Sequence, residues 1–143
     1  DDAGVILRPL APDPGRPGRM KATSQGKPAE TAYETLERWR AYAYLRVRPL
    51  TGRQHQIRVH LACTGVPIVA DALYGDGKGL LLSQLKRKYK FKDGRLERPL
   101  IDRLALHAHE LELAHPSTGA PLKITSPLPK EFEIALRYLR KFG

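Results

Sequence analysis

Cysteine is almost missing from this 143-residue chain, in which Cys63 is the only one. A single cysteine excludes an internal disulfide, and chains without disulfides are typical of a reducing compartment, so we expect a cytoplasmic location. Because Cys63 lies among Leu61, Ala62 and Val66, we expect a small packed side chain there and not a nucleophile.

Long apolar runs are also lacking. No stretch of the sequence approaches the ~20 apolar residues that a membrane-spanning helix needs, so we expect no membrane partner. The chain opens with Asp1 and Asp2, and no secretory signal pattern follows them. It also begins without methionine, and we therefore expect it to be cut from a longer polypeptide.

Acidic residues are fewer than basic ones. Asp and Glu total 15 against 25 Lys and Arg, which gives a formal net charge of +10. Such an excess favours a polyanionic partner, because side chains that neutralise phosphates release counterions. A basic protein without such a partner is the alternative. Hydrophobic residues make up 41% of the chain, enough for a core in one domain that spans residues 1–143.

Strand and turn patterns fill the first third of the chain. Prolines and glycines at positions 4–19 predict an extended loop. Residues 31–36 and 42–48 favour strands, and in the second run apolar and polar side chains alternate as in a half-buried strand. Residues 38–40 would connect the two strands as a hairpin.

A short helix is predicted directly after the second of these strands. Thr51 and Gln54 have the spacing of a capping box, which predicts a helix that begins directly after Thr51. Ile57 and Leu61 would then share an apolar face. Gly65 would end the helix.

The second half of the chain predicts a short helix, two strands and a long final helix. The leucines at 80–85 favour a helix that leads into a basic excursion. Residues 104–113 and 122–125 favour strands, with a turn at 116–119. A final helix begins at Pro129. Its predicted buried face consists of Phe132, Ala135, Leu136 and Leu139.

Basic and imidazole side chains are concentrated where the second strand meets the short helix. They are Arg53, His55, Arg58 and His60. Backbone amides and the helix dipole favour anions at such a junction. A helix whose polar face happens to be basic is the alternative.

A metal site is not expected. At the junction, no cysteine or carboxylate joins the histidines at ligand spacing. The remaining histidines, His107, His109 and His115, lie along a predicted strand and its exit. Packing and chance explain them better than ligation does.

The junction is also the part of the chain that most resembles a known family. Residues 48–61 read RPLTGRQHQIRVHL, and residues 65–75 read GVPIVADALYG. Flanking blocks agree with them: GKPA at 26–29 and LHA at 106–108. In this order the blocks resemble the signature of RluA-type RNA pseudouridine synthases.

The resemblance implies an α+β fold, with a mixed, mainly antiparallel sheet, flanking helices and an RNA-binding cleft. Enzymes of this family detach a uracil from its ribose, rotate it and rejoin it through carbon, with no cofactor. The implied activity is therefore isomerisation of uridine to pseudouridine. The implied partner is RNA, with ribosomal RNA favoured over transfer RNA.

Carried over to this sequence, the resemblance assigns the family's site arginine to Arg58. Such a guanidinium would orient the catalytic carboxylate and hold it ionised. The aliphatic residue that lines the uracil pocket falls on Leu106. Arg53 and His55 would contact phosphate or carboxylate groups at the cleft.

The basic excursion is a second candidate for RNA contact. Its charges are interleaved with Tyr89 and Phe91, a composition that can neutralise phosphates and stack on unpaired bases. A solvated loop is the alternative. The basic residues are Lys86, Arg87, Lys88, Lys90 and Lys92.

One family motif has no match. The string His-Arg-Leu-Asp followed by Thr-Ser-Gly, which holds the essential aspartate, does not occur in the chain, and Asp71 and Asp102 stand in other blocks. We therefore expect the C-terminal part of a catalytic domain, inactive alone, with open sheet edges and exposed apolar surface. A non-catalytic RNA-binding remnant and an unrelated ribosome-associated basic protein are the alternatives.

Overall fold

The computed structural model of the chain describes residues 2–91 and 94–143. Every strand pairing within these residues is antiparallel, and helices accompany the sheets, so the expected α+β class is confirmed. The elements in chain order are β1 (Ala3–Leu7), β2 (Leu10–Pro12), β3 (Met20–Ala22), β4 (Glu30–Arg38), β5 (Ala43–Pro49), α1 (Gln56–Cys63), α2 (Leu82–Leu85), β6 (Glu110–Ala114), β7 (Pro121–Thr125) and α3 (Lys130–Phe142).

The largest sheet has the strand order β1-β4-β5. The predicted β4–β5 hairpin is confirmed, and the Trp39 amide donates to the Tyr42 carbonyl at its turn, at 2.8 Å. The expectation of an extended loop over residues 4–19 is wrong in part, because β1 and β2 lie there. β1 pairs with β4, a partner distant in sequence, and local proline and glycine content does not reveal such pairing.

Helix α1 begins later than predicted, because the side chain of Gln56, and not that of Thr51, fixes the turn at its start. His55 is the N-cap residue, with a left-handed backbone (φ 54°) and no side-chain capping bond, so the Thr51–Gln54 capping box is absent. The helix ends at Cys63, and Gly65 follows it at φ 84°, as expected. Cys63 is exposed and its thiol donates to the His60 carbonyl, so the prediction of a packed cysteine is wrong.

Two clusters of buried apolar side chains form the core. One joins Leu80 and Ile101 to helix α3, and the other joins β2 and β3 to Val59 of α1. The predicted buried face of α3 is confirmed at all its positions, Phe132, Ala135, Leu136 and Leu139. The second cluster holds α1 against the β2–β3 hairpin and so positions the junction.

The β6–β7 hairpin forms a two-stranded sheet of its own. Strand β6 begins at Glu110, so the predicted strand over residues 104–109 is wrong, since no described strand pairs with that segment. All of β6 is exposed, and Leu111 and Ile124 expose 58% and 50% of their surface. The prediction of exposed apolar surface is confirmed.

The structure also shows the surroundings of the basic excursion. The predicted short helix is α2, and residues 86–91 follow it without regular structure. Lys92 lies outside the described residues. None of the helices in residues 2–91 and 94–143 has the length and apolar character needed to cross a membrane.

Candidate functional site

A buried polar network fixes α1 against β4. The His60 ring is fully buried; its Nε2 lies 2.9 Å from the Arg8 carbonyl oxygen and its Nδ1 lies 2.8 Å from Thr31 Oγ1. Because a carbonyl oxygen only accepts, Nε2 donates, and Nδ1 accepts from the Thr31 hydroxyl. The same hydroxyl oxygen accepts from Gln56 Nε2 at 2.9 Å. Each polar atom of this network therefore has a partner.

Gln56 also shapes the turn that precedes the helix. Its Oε1 accepts from the Thr51 hydroxyl at 2.7 Å and from the Arg53 amide at 3.0 Å. Thr51 Oγ1 in turn accepts from the Glu30 amide at 2.9 Å. These bonds join the turn to β4 and set the direction in which His55 and Arg58 leave the backbone.

Arg58 forms a bidentate ion pair with Asp71. Its Nε donates to Oδ2 at 2.9 Å and its Nη2 donates to Oδ1 at 2.7 Å. The Asp71 side chain is fully buried, and that of Arg58 is 19% exposed. The hydrogen bonds from Arg58 hold the pKa of Asp71 below its usual range despite burial, so the carboxylate stays ionised.

The backbone after Ala70 is folded so as to present Asp71 to the arginine. Ala70 has a left-handed conformation (φ 58°), which is uncommon for a residue with a Cβ. Asp71 Oδ1 then accepts from the amides of Leu73 and Tyr74 at 3.0 and 3.1 Å. The carboxylate thus organises a tight turn as well as the ion pair.

Tyr74 occupies the middle of the site. The guanidinium carbon of Arg58 lies 5.0 Å from its ring centre and that of Arg19 lies 5.2 Å away, within the range of cation–π attraction. Its hydroxyl oxygen accepts from the Met20 amide at 2.9 Å and lies 2.8 Å from His55 Nδ1. Residues of β3, α1 and the Asp71 turn therefore converge on one tyrosine.

His55 is placed to act as a neutral imidazole. Burial lowers the pKa of His55, the charge of Arg58 lowers it further, and Asp71 opposes the shift. In a neutral ring, Nδ1 can accept a hydrogen bond from the Tyr74 hydroxyl, while Nε2 keeps a hydrogen that it can donate. The arrangement combines a fixed guanidinium with a neutral hydrogen-bonding ring.

Comparison with known proteins shows which proteins the chain is similar to. The family model described as RNA pseudouridylate synthase matches residues 4–63. Ribosomal large subunit pseudouridine synthase D of Pseudomonas aeruginosa is 38% identical over 144 residues, which cover 96% of this chain and 41% of the relative. Over almost its whole length, the chain is similar to RNA pseudouridine synthases.

Other relatives and solved structures show the same similarity. Ribosomal large subunit pseudouridine synthase C of Haemophilus ducreyi is 36% identical over 138 residues, which cover 95% of this chain and 39% of the relative. The structure of Human RNA Pseudouridylate Synthase Domain Containing 4 superposes with a TM-score of 0.65 at 29% identity, over 97% of this chain and 57% of that chain. The chain thus spans about two fifths of the curated relatives it matches.

The remaining predicted residues take different positions in the structure. Arg53 Nε donates to the Pro28 carbonyl at 2.9 Å, beside the turn that Gln56 holds. Leu106 is half-buried, outside any strand. The neighbouring Ala105 amide donates to the Val69 carbonyl at 2.9 Å, which brings the Leu106 segment alongside the chain that leads to Asp71.

The start of the basic excursion lies close to the end of α3. Lys86 Nζ is 5.7 Å from the Phe142 ring centre, and Tyr89 meets Phe91 edge to face at 4.9 Å. RNA contact by Lys86, Arg87, Lys88 and Lys90 stays a prediction.

Sequence reasoning missed three members of the site. The sequence excludes Asp71 as the nucleophile by its position, but it does not predict Asp71 as the partner of Arg58. Tyr74 lies in the same matched block, at positions 65–75, so its place in the family signature was the available signal. Arg19 lies in a segment that predicted only a loop, and its sequence neighbours carry no signal for a contact with Tyr74.

Proposed function

We propose that the chain is the arginine-bearing part of the catalytic domain of an RNA pseudouridine synthase. The observation that carries the proposal is the guanidinium of Arg58, held by two hydrogen bonds to a buried carboxylate inside the family signature. Two of its nitrogens are engaged by Asp71, and Nη1 makes no hydrogen bond with the described residues. That nitrogen is available to a second acceptor.

The reaction is an isomerisation in which the atoms of uridine balance without a co-reactant. The bond from ribose C1′ to uracil N1 breaks, C1′ joins uracil C5, and the proton lost from C5 is matched by one gained at N1. The carboxylate that assists this exchange belongs to the motif that has no match here. In our proposal Arg58 orients that carboxylate through Nη1 and favours its ionised form.

Ribosomal RNA is the substrate that the relatives favour. Their names describe synthases of the ribosomal large subunit, and the net charge of +10 suits a polyanion. We propose ribosomal RNA in the cytoplasm as the substrate, with transfer RNA as the alternative. Arg53, His55 and Leu106 are proposed to contact it, on the strength of their positions beside Arg58 and the Asp71 turn.

A chimera tests whether this chain can supply the arginine-bearing part of an active catalytic domain. The chain replaces the matched region of the Pseudomonas aeruginosa synthase D relative, and the remainder of that relative supplies the missing motif. Pseudouridine in a large-subunit ribosomal RNA transcript is measured by mass spectrometry after base-specific labelling. We expect product from the chimera and none from the 143-residue chain alone.

Arg58→Lys in the chimera is the matched control. Lysine keeps the charge but lacks the planar pair of donors, so we expect turnover to fall by several decades while circular dichroism stays unchanged. Full activity of this variant would show that Arg58 has no part in the reaction. An inactive but folded chimera whose chain still binds RNA would favour the non-catalytic RNA-binding remnant.

A further inference from the structure

The β2–β3 hairpin carries basic side chains that the proposed reaction does not use. They are Arg16, Arg19 and Lys21. The acidic residue of the hairpin, Asp13, accepts through Oδ1 from the Gly15 amide at 3.1 Å. Within residues 2–91 and 94–143 none of the three basic side chains forms an ion pair, so their charge is not neutralised by the protein.

Arg19 differs from the other two because it is attached to the site. Its guanidinium carbon lies 5.2 Å from the Tyr74 ring centre, and the side chain is partly buried. The next residue, Met20, is buried in the cluster that contains Val59 and Tyr74. The Met20 amide also donates to the Tyr74 hydroxyl, so backbone and ring together limit where the Arg19 side chain can go.

The two arginines on Tyr74 have different electrostatic roles. Arg58 is neutralised by Asp71, whereas Arg19 meets no carboxylate in the part of the chain that the structure describes. A guanidinium that rests on an aromatic ring keeps the hydrogen-bond donors at its edge free for an acceptor. An anion bound at that edge would lie beside the Arg58–Asp71 pair.

We infer that Arg19 is a phosphate-binding residue that holds the backbone of the RNA strand at this site. The inference rests on the proposed function for the identity of the ligand. A phosphodiester fits better than a single carboxylate because Arg16 and Lys21 lie on the same hairpin, and a series of cations suits a series of phosphates. Guanidinium donors also match the geometry of phosphate oxygens.

Salt-dependent RNA binding by the chain itself tests the inference without any need for catalysis. The probe is a fluorescein-labelled single-stranded RNA that contains uridines, and fluorescence anisotropy gives the affinity from about 0.05 to 0.3 M salt. One phosphate contact contributes about 0.7 to the slope of log affinity against log salt, which is about fivefold in affinity near 0.1 M. Arg19→Gln should lose about these amounts, and Arg19→Lys should keep the slope.

Arg137→Gln is the matched control. Arg137 also rests on a tyrosine, with its guanidinium carbon 5.6 Å from the Tyr138 ring centre on α3, and it forms no ion pair with the described residues. Arg19→Gln and Arg137→Gln remove the same charge and the same kind of ring contact. A larger loss of RNA binding in Arg19→Gln would therefore come from a phosphate contact at Arg19. Arg137→Gln should leave slope and affinity at their wild-type values.

Three results would overturn the inference. The first is a wild-type slope in Arg19→Gln together with a lower urea midpoint, which would show that Arg19 only stabilises the fold through its contact with Tyr74. The second is an equal loss in both glutamine variants, which would show a general charge effect. The third is an absence of salt-dependent binding by the wild-type chain. Failure of the chimera to make pseudouridine would remove the proposed function but leave the Arg19 result standing.

Discussion

At the scale of single residues, α1 separates structural side chains from the candidate chemical ones. Gln56 and His60 point into the protein, where their polar atoms meet partners from β4, from the segment after β1 and from the turn before α1. His55 and Arg58 leave the same helix start toward Tyr74. One short helix thus both anchors itself in the fold, through polar and apolar buried side chains, and presents the candidate chemical side chains to Tyr74.

The Arg58–Asp71 pair makes a prediction about stability. Arg58→Met leaves the fully buried Asp71 carboxylate without its cationic partner, which should lower the free energy of unfolding by about 3–5 kcal/mol. Urea denaturation followed by circular dichroism measures the change.

Arg46→Met provides the comparison for this prediction. Arg46 pairs with Glu34 at 2.8 Å, but both side chains are more than half exposed, and exposed pairs contribute ~0–1 kcal/mol. Similar losses in the two variants would show that the Arg58 pair is no more important than a surface pair. Because Asp71 keeps two backbone amides as donors, a loss smaller than about 1 kcal/mol would show that they suffice to hold its charge.

At the scale of elements, the β2–β3 hairpin is held by a close backbone approach. The Leu10 amide donates to the Lys27 carbonyl at 2.9 Å, and the Lys27 amide donates back to Leu10 at 2.8 Å. Gly26, the residue before Lys27, lies so near Leu10 that a Cβ would come within 2.5 Å of the Leu10 carbonyl carbon. Only glycine fits there without displacing the backbone.

Gly26→Ala should therefore destabilise the chain by about 1–3 kcal/mol through overpacking. Because the hairpin carries Arg19 and Met20, the change should also move the Arg19 side chain and weaken RNA binding. Gly52→Ala is the control, since a Cβ on Gly52 meets nothing within 4 Å. Thermal unfolding and RNA anisotropy on both variants give the two readouts. Equal stability of the two variants would show that the backbone near Leu10 moves freely.

At the scale of the whole molecule, the β6–β7 hairpin has one apolar and one charged face. The cross-strand pairs Leu111↔Ile124 and Leu113↔Leu122 lie on the apolar side, while Lys123 pairs with Glu110 at 2.9 Å on the other. Both strands also have free edges in the described structure. Apolar surface of this kind favours association between molecules.

The chain should therefore self-associate, and changes to the hairpin face should reduce it. Leu111→Thr with Ile124→Thr removes an exposed apolar pair while keeping residues that favour strands. Sedimentation velocity over a range of concentrations should show a smaller average mass for the variant. Leu96→Thr is the control, because Leu96 is 98% exposed and lies in no strand. Unchanged association in the hairpin variant would assign it to another surface.

The sequence by itself determined the elements whose signals are local. The buried face of α3 follows from its periodicity, and Pro129 as its N-cap residue comes from the same segment. The β4–β5 hairpin and the glycine after α1 were also predicted, because turns and helix ends depend on a few neighbouring residues. The similarity to RNA pseudouridine synthases was equally readable, since the matching residues form a nearly continuous string.

Only the tertiary structure decided the features that join distant segments. β1 exists because β4, far along the chain, supplies its partners. α1 begins at Gln56 because that side chain reaches Glu30 and Thr31. Asp71 pairs with Arg58 because Ala70 has a left-handed backbone conformation, which the spacing of the sequence does not predict. These contacts depend on the packing of whole elements, which single-segment patterns do not contain.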